Sequence, residues 1–343
     1  MTDVIESGGW VNVKDSTELL LGVSDLAYVN NLGVAFSDKP WDSDPDYRKY
    51  KCSINSTGIW SSIKITEPIE YIRVESGLDF FVIAGTFEST LVIYKAYPNI
   101  DGDYGFWSND WEKVYTFPIP EMSTKNSRIK KLNGAYLIPM RGMYFIGNDS
   151  ANYWNIKSLA DGYSSYNIID VTISNGVFYF LLNDNNTFAI AYGPNENSLS
   201  YYHYNFSFTP TAIGSNNEHI VIIGGHNELF YIKYTKVGLK NDWEEISITP
   251  KDPYPVTGES KLTDIVFHNN KWEIVGNHAH WNGLHTKLIS DKGLVYTIDS
   301  DFTNIIEHNL QVLDLSRIYM YEDKLYALGE GYPNGNTYII TKE

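Results

Sequence analysis

Short runs of alternating apolar and polar residues recur along the whole chain, and most are joined in pairs by a polar turn. The runs are rich in Val, Ile, Phe and Tyr, which predicts half-buried β-strands. Seven such pairs predict hairpins, with turns at Asn30-Asn31, Ser76-Gly77, Asn133-Gly134, Asn175-Gly176, Asn216-Asn217, Asn269-Asn270 and Glu322-Asp323. Asn and Gly suit these turns because both tolerate positive φ. No stretch sustains the 3.6-residue apolar period of a helix over three turns.

The predicted hairpins recur at intervals of 41 to 57 residues. Four-stranded propeller blades have a repeat of about 40 to 50 residues. We therefore predict an all-β chain in which residues 1–343 form a single β-propeller of seven four-stranded blades. Six and eight blades are the other counts that this spacing allows. A pair of β-sandwiches or a β-helix accounts less well for seven equivalent hairpins.

Two near copies of one decamer support this repeat. SNDWEKVYTF occupies residues 108–117, and KNDWEEISIT occupies residues 240–249. The tryptophans lie 132 residues apart, which is the length of three blades. We therefore expect WEKVYTF and WEEISIT to be the fourth, outer strands of the second and fifth blades.

The two ends of the chain carry complementary strand-like segments. After the last hairpin only one more strand remains, within NTYIITKE at residues 336–343. The first hairpin is preceded by a spare segment, GGWVNVKD, at residues 8–15. Exposed strand edges are a liability for aggregation. We therefore predict that residues 8–15 close the last blade, residues 311–343, as its outer strand.

Composition and charge narrow the function classes. The net charge is −16, which argues against direct binding of nucleic acid or of an anionic membrane. No window approaches the roughly 18 apolar residues of a membrane span, and the first ten residues lack the apolar region of a secretory signal. The single cysteine, Cys52, excludes an internal disulfide framework and a zinc site built from several cysteines.

Two segments resemble the Asp-box, a Ser/Thr-x-Asp-x-Gly-x-x-Trp turn between the third and fourth strands of blades in sialidase-like propellers. They are SDKGLVY at residues 290–296 and ADGYSSY at residues 160–166. Both depart from the pattern, with Tyr in place of Trp and the serine misplaced or absent. The resemblance implies blade architecture. A sialidase would also need three converging arginines, for which Arg73, Arg128 and Arg317 are candidates because they lie in or beside first strands.

One acidic segment predicts a calcium site. NIDGDYG at residues 99–105 places oxygen ligands at alternate positions, as calcium-binding loops do. The predicted ligands are Asn99, Asp101, Asp103 and Asp110. A solvated acidic loop is the alternative interpretation. DSDPD at residues 42–46 has a similar spacing and lacks an acid at the twelfth position.

Aromatic residues on predicted loops are candidates for ligand binding. Tyr104, Phe106 and Trp107 follow the acidic segment, and Trp281 lies in NHAHWNGLH at residues 277–285. Aromatic rings on loops can stack on sugars or anchor a protein partner. They can also pack against the edge of a blade. The three histidines of the second segment suit a transition metal, or are polar residues of an exposed hairpin.

The usage of Asn, Tyr and Ile, with Lys well above Arg, resembles virion proteins of bacteriophages that infect low-GC bacteria. That resemblance implies a non-enzymatic propeller located in the virion, in a tail or receptor-binding part. Its partners would be other virion proteins or a host-surface glycan, without a cofactor unless calcium binds, and self-association into a homo-oligomer is compatible with this role. A sialidase-like carbohydrate-active or carbohydrate-binding propeller and an intracellular protein-interaction scaffold are the alternatives.

Overall fold

The computed structural model describes residues 9–12, 23–37, 50–55, 60–64, 69–98, 111–119, 128–194, 198–226, 229–238, 242–249, 258–281, 288–311, 313–331 and 336–342. Apart from one 3-10 turn at Asp161–Tyr163, every regular element in these ranges is a β-strand. The chain divides into two compact units. The larger unit comprises Met1–Val13 and Ile169–Glu343, and the smaller unit comprises Lys14–Ile168.

The strands of the smaller unit form three antiparallel four-stranded sheets, each built from four consecutive strands. The chain first contributes β1 (Trp10–Asn12) to the larger unit. The first sheet then contains β2 (Val23–Val29), β3 (Leu32–Ser37), β4 (Tyr50–Asn55) and β5 (Trp60–Lys64). The second contains β6 (Glu70–Ser76), β7 (Phe81–Phe87), β8 (Thr90–Ala96) and β9 (Glu112–Pro118). The third contains β10 (Lys130–Leu132), β11 (Ala135–Pro139), β12 (Met143–Asn148) and β13 (Trp154–Ser158).

The larger unit contains four further antiparallel sheets. One is formed by β14 (Asn167–Ser174), β15 (Val177–Asp184), β16 (Thr187–Gly193) and β17 (Ser200–Tyr204). The next is formed by β18 (Thr209–Ser215), β19 (His219–His226), β20 (Leu229–Lys236) and β21 (Glu244–Ile248). A third is formed by β22 (Gly258–His268), β23 (Lys271–Trp281), β24 (Leu288–Asp299) and β25 (Ile305–Gln311). The last combines β26 (Leu313–Tyr321), β27 (Lys324–Gly331) and β28 (Asn336–Lys342) with β1.

This topology corrects the prediction of seven four-stranded blades. Six sheets each consist of four consecutive strands, so six blades are continuous along the chain. The remaining sheet is composite, because β28 is the last strand and its outer neighbour is β1 from the other end of the sequence. The result is six continuous blades and one composite sheet.

Turn chemistry explains most of the hairpins. At five predicted turns both central residues have positive φ: Asn30-Asn31, Asn133-Gly134, Asn175-Gly176, Asn269-Asn270 and Glu322-Asp323. The predictions at Ser76-Gly77 and Asn216-Asn217 are wrong in detail. There the chain makes four-residue turns, in which the first residue donates its N–H to the carbonyl of the fourth, Gly77 to Phe80 and Asn216 to His219.

The two related decamers contribute outer strands, as the sequence predicts. β9 follows Trp111 and pairs with β8, and β21 follows Trp243 and pairs with β20. Trp111 is buried against Phe36, with ring centroids 6.1 Å apart. Outer strands therefore help to fill the apolar layers that lie between successive sheets of each unit.

Buried aspartates tie first strands of neighbouring sheets together within each unit. In each case one carboxylate oxygen accepts a backbone N–H from the first strand of the next sheet: Asp25 from Val74 at 2.9 Å, Asp170 from Ile213 at 3.0 Å and Asp264 from Ile318 at 3.0 Å. The other oxygen of Asp170 and of Asp264 accepts the N–H of the residue that follows it. These carboxylates hold the sheets in register by satisfying backbone donors that are buried.

In four sheets the first strand has a β-bulge that contains a serine or a threonine. The side chains of Ser24, Thr211, Thr263 and Ser316 each donate to the carbonyl twelve residues later, on the second strand. Thr211 and Thr263 also donate to Leu262 and Leu315, on the first strand of the next sheet. The side-chain hydroxyl of the extra residue at the bulge thus satisfies backbone carbonyl groups of neighbouring strands.

Candidate functional site

The β6–β7 turn of the smaller unit presents a large apolar side chain to solvent. Leu78 is 85% exposed, whereas Phe80 at the end of the same turn is buried. Gly77 donates its N–H to the Phe80 carbonyl at 2.7 Å. A Cβ at Gly77 would lie 2.5 Å from that oxygen, so only glycine allows the turn to close this tightly. The position of Leu78 is therefore fixed by backbone geometry.

The β12–β13 turn presents a second exposed side chain, Tyr153, which is 62% exposed. The side-chain oxygen of Asn148 accepts the backbone N–H groups of Asn152 and Tyr153 at 3.0 and 3.1 Å. Within the turn, Ala151 is buried at a φ of 54°, and its carbonyl accepts the indole N–H of Trp154 at 3.0 Å. This turn is also held rigidly.

Lys95, on β8, connects the two turns. Its Nζ lies 4.5 Å from the ring centroid of Phe80 and 5.3 Å from that of Tyr97. It also donates to Oδ1 of Asn152 at 3.0 Å. Tyr97 is 47% exposed, and its ring centroid is 5.9 Å from that of Phe80. These contacts join both turns into one surface, which we call the aromatic surface: Leu78, Phe80, Lys95, Tyr97, Asn152 and Tyr153.

Tyr136 forms the buried floor beneath this surface. Its ring centroid lies 6.4 Å from that of Phe80 and 6.3 Å from that of Trp154. Its hydroxyl donates to the Ser76 carbonyl at 3.5 Å. Burial, followed by the nearby carboxylates Glu75, Asp149 and Asp79, raises the pKa of Tyr136 well above its usual range. The tyrosine is therefore neutral and acts as a packing residue.

The carboxyl group of Glu75 lies close to this floor. Burial raises the pKa of Glu75, and the positive charge of Arg128 partly opposes that shift. Glu75 also accepts the N–H of Ser76 at 2.8 Å. Lys131 is paired with Asp149 at 2.9 Å. Around the floor, Arg128 and Lys131 thus each lie near a carboxylate. Lys95 instead bonds to the neutral amide of Asn152.

Most of the predicted ligand residues lie outside the described residues. These are Asn99, Asp101, Asp103, Tyr104, Phe106, Trp107 and Asp110. Trp281 is the last residue of β23, and its side chain is not among those described. The predicted aromatic and acidic loop begins two residues after Tyr97 in the sequence. Its roles in ligand and calcium binding stay predictions.

The residues predicted for metal and sialidase chemistry are placed as follows. His278 is buried on β23, and the side chains of His280 and His285 are outside the described set. No group of three His, Cys, Asp or Glu side chains in the described ranges is arranged to hold a metal. The guanidinium of Arg73 is buried and donates to the Ile72 carbonyl at 2.9 Å, so that contact is structural.

The two Asp-box-like segments do not form the expected turns. Residues 290–296 lie inside β24, where Tyr296 is buried and pairs with Ile274. Residues 160–166 connect the fourth strand of one sheet with the first strand of the next, through the 3-10 turn. Neither segment joins a third strand to a fourth, so the Asp-box prediction is wrong. Without a turn at the aspartate, the pattern is a chance match of small and aromatic residues.

The signal for the aromatic surface was spread over distant parts of the sequence. Lys95 and Asn152 are 57 residues apart, and neither belongs to a recognisable motif. Only the apolar Leu78 within the polar stretch ESGLDF was visible as an unusual residue for a turn. The sequence could not indicate that Lys95 would link the turn of Leu78 to the turn of Tyr153.

Comparisons with known proteins identify the fold. No protein-family model and no curated protein matches this sequence. Three of the solved structures that it resembles are the following. A structure of YCF48 bound to D1 peptide has a TM-score of 0.62 and 10% identity, covering 99% of this chain and 97% of that chain. The Pan2 WD40 domain of Neurospora crassa has a TM-score of 0.56 and 11% identity, with coverages of 99% and 97%. The WD40 domain of Toxoplasma gondii coronin has a TM-score of 0.59 and 10% identity, with coverages of 99% and 87%.

These similarities show a β-propeller fold. At 10 to 11% identity they show the fold alone. The β-propeller fold hosts many different functions, so it does not by itself identify one. Among the described residues, no helix has the length and apolar character needed to cross a membrane.

Proposed function

We propose that this chain is a non-catalytic protein-interaction propeller that binds an extended segment of a partner protein at the aromatic surface. The observation that carries this proposal is the exposure of Leu78 and Tyr153 on two turns of fixed geometry, and of Tyr97 at the end of β8 beside Lys95, which links the two turns. Scattered single apolar residues are normal on a protein surface. Here two of the exposed residues lie on turns that Lys95 links, and the third lies beside Lys95, so together they offer a surface that a partner can cover.

The rigidity of these turns favours binding energetically. Covering apolar surface contributes about 25 cal/mol per Å². Association also costs free energy, because flexible side chains and loops must be ordered. The hydrogen bonds of Gly77 and Asn148 have already ordered both turns in the free protein. Tyrosine is frequent at interaction hot spots because its large ring has few rotatable bonds.

The comparisons support a protein ligand in general terms. Two of the similar structures are WD40 domains, and the third is YCF48 bound to D1 peptide. That peptide is a ligand of YCF48. For this chain the similarities favour the scaffold hypothesis over the glycosidase hypothesis.

A displayed library of random dodecapeptides tests the proposal without knowledge of the partner. Peptides are selected on the wild-type chain, and their binding is then measured on a Leu78→Ser/Tyr153→Ser double variant. We expect peptides selected on the wild type to bind the double variant at least about tenfold more weakly, since two apolar contacts are lost. Met320→Ser is the matched control, because Met320 is also exposed, at 53%, and lies in the larger unit.

The control variant should bind the selected peptides as the wild type does. Peptides that bind the double variant and the wild type equally would contradict the proposal. A glycan array on the same variants tests the alternative ligand, because half-exposed tyrosine rings can also stack on sugars. If glycan binding requires Tyr153 and no peptide depends on the aromatic surface, the ligand of this surface is a glycan and not a peptide.

A partner within a bacteriophage virion is the narrower form of this proposal. It is supported by composition alone, with Asn, Tyr and Ile frequent and Lys well above Arg. The position of the coding sequence beside tail or capsid genes would support it. A position among unrelated cellular genes, together with binding of a cellular protein at the aromatic surface, would favour a cellular scaffold instead.

A further inference from the structure

Lys95 brings a buried positive charge to the aromatic surface. The side chain is only 5% exposed, and an ammonium group carries three hydrogen-bond donors. In the described residues, one donor reaches a neutral amide, that of Asn152, at 3.0 Å. The rings of Phe80 and Tyr97 attract the charge, yet they accept no conventional hydrogen bond.

Two half-buried lysines of the described residues have carboxylate partners. Lys131 lies 2.9 Å from Asp149, and Lys342 lies 2.6 Å from Glu273. Within the described ranges, Lys95 has no carboxylate oxygen within 4.0 Å. Removing a charge from water costs free energy unless the charge is paired and hydrogen-bonded. The aromatic surface therefore holds a cation whose pairing is incomplete.

We propose that the partner segment carries one carboxylate next to an apolar side chain, and that Lys95 binds this carboxylate. This inference rests on the proposed function and specifies its ligand. The carboxylate is either an Asp or Glu side chain or a C-terminal carboxylate, since both present the same two oxygens. The adjoining apolar side chain contacts Leu78, Tyr97 and Tyr153.

Lys95 is buried, but two groups that surround its Nζ reach the solvent. Asn152 is exposed and Tyr97 is 47% exposed, so these two partners of Nζ lie between it and the solvent. A carboxylate oxygen can approach beside the Asn152 amide and accept one of the two remaining donors. Charge-assisted bonds of this kind are about twice as strong as neutral ones.

The surrounding charges limit the ligand to a single acidic group. Asp79 is exposed on the β6–β7 turn, and Asp149 on the β12–β13 turn is already paired with Lys131. A second acidic group in the ligand would meet Asp79.

Matched small probes test this inference on the intact chain. N-acetyl-phenylalanine carries a terminal carboxylate, Ac-Glu-Phe-NH₂ carries a side-chain carboxylate, and N-acetyl-phenylalanine amide carries none. Each is titrated while the methyl signals of Leu78 are followed by NMR. We expect at least one carboxylate probe to shift these signals with an affinity at least about tenfold above that of the amide. The stronger of the two acidic probes identifies the source of the carboxylate.

Variants assign the preference to Lys95. Lys95→Met should bind acid and amide equally, and Lys95→Arg should keep the preference for acid because it retains the charge. Lys113→Met is the matched control, since Lys113 is on the same sheet and its Nζ lies 5.7 Å from the ring centroid of Tyr94. It should leave the preference unchanged.

Two results would overturn the inference: equal binding of acid and amide by the wild type, or a preference for acid that persists in Lys95→Met. A failure of both acidic probes to shift the Leu78 signals at millimolar concentration counts against it as well. Peptide selection separates this failure from that of the proposed function. Selected peptides that need Leu78 and Tyr153, yet tolerate Glu→Gln and C-terminal amidation, would leave the interaction surface intact and remove only its carboxylate specificity.

Discussion

Trp10 and Lys342 are paired directly across β1 and β28, with Nζ of Lys342 5.9 Å from the centroid of the indole ring. The indole is fully buried in the apolar cluster that the composite sheet shares with the β22–β25 sheet. We predict that Trp10→Ala destabilises the larger unit by about 3–5 kcal/mol, the usual cost of truncating a buried tryptophan. Denaturant unfolding followed by circular dichroism measures this change.

Trp10→Phe is the matched control for this substitution. The indole N–H of Trp10 has no hydrogen-bond partner among the described residues, so phenylalanine removes an unsatisfied donor while keeping an aromatic ring. We expect a clearly smaller loss than for alanine. Equal losses for both variants would mean that the size of the ring does not determine the stability of this sheet.

Lys342 also supplies the cation of a buried polar network. Its Nζ lies 2.6 Å from Glu273, which accepts a further hydrogen bond from Thr297 at 2.8 Å. Because Glu273 is buried on β23, Lys342→Met leaves its carboxylate uncompensated and should cost about 3–5 kcal/mol. A Lys342→Met/Glu273→Gln double variant should recover part of that loss, since no buried charge remains. Strictly additive losses in this double-mutant cycle would contradict the pairing.

Short-range chemistry explains how much of the fold could be predicted from the sequence. A turn such as Asn133-Gly134 depends on two adjacent residues that tolerate positive φ, so its signal is local. The pairing of the N-terminal strand could be inferred because the last hairpin lacked a fourth strand. The turn at Gly77 was misplaced because its geometry depends on the Phe80 carbonyl, a contact that no dipeptide signal encodes.

The candidate site could not be predicted in the same way. Its central contact joins Lys95 to Asn152, two residues whose neighbours in sequence show no shared pattern. The aspartate positions had a weak signal, since Ser24-Asp25 and Thr263-Asp264 both lie in a first strand. This signal can be recognised only if the strand pattern is read with one extra bulge residue. The bulge shifts the alternation of apolar positions by one residue.

Asp264 provides a test of the contacts between successive sheets. Its carboxylate accepts the backbone N–H groups of Ile265 and Ile318, both at 3.0 Å. Asp264→Ala removes the carboxylate that accepts both of these buried N–H groups. We predict a loss of about 2–4 kcal/mol in the free energy of unfolding, since each unsatisfied buried donor costs about 1–3 kcal/mol. Denaturant unfolding of the variant and the wild type gives this difference.

Asp264→Asn should be milder, because its amide oxygen can still accept one of these bonds. Asp301→Ala is the surface control: its side chain bonds only to Thr303 of the same exposed turn among the described contacts, so the free energy of unfolding should stay close to that of the wild type. If Asp264→Ala were as mild as the surface control, the carboxylate would not be holding the two sheets together.

His219 gives the larger unit a predicted dependence on pH. Its ring packs edge-on against Phe302, with centroids 5.4 Å apart, and against Tyr234, with centroids 6.2 Å apart. Its buried Nδ1 has no hydrogen-bond partner within the described structure. Burial lowers the pKa of His219, with a smaller contribution of the same sign from Lys236 and opposing contributions from Glu218 and Glu244. The folded chain therefore favours the neutral ring.

The sign of the effect follows from proton linkage. Between the lowered folded-state pKa and the ordinary value near 6.5, the unfolded chain binds more protons than the folded chain, so stability is lost as the pH falls through this window. We predict that His219→Phe reduces the loss of melting temperature between pH 7 and pH 5, because the replacement cannot bind a proton. His226→Phe, at the exposed end of the same strand, should leave the pH dependence of the wild type in place. If the His219→Phe profile coincided with that of the wild type, the acid sensitivity of the larger unit would have to come from its carboxylates, since removing this ring would not have changed it.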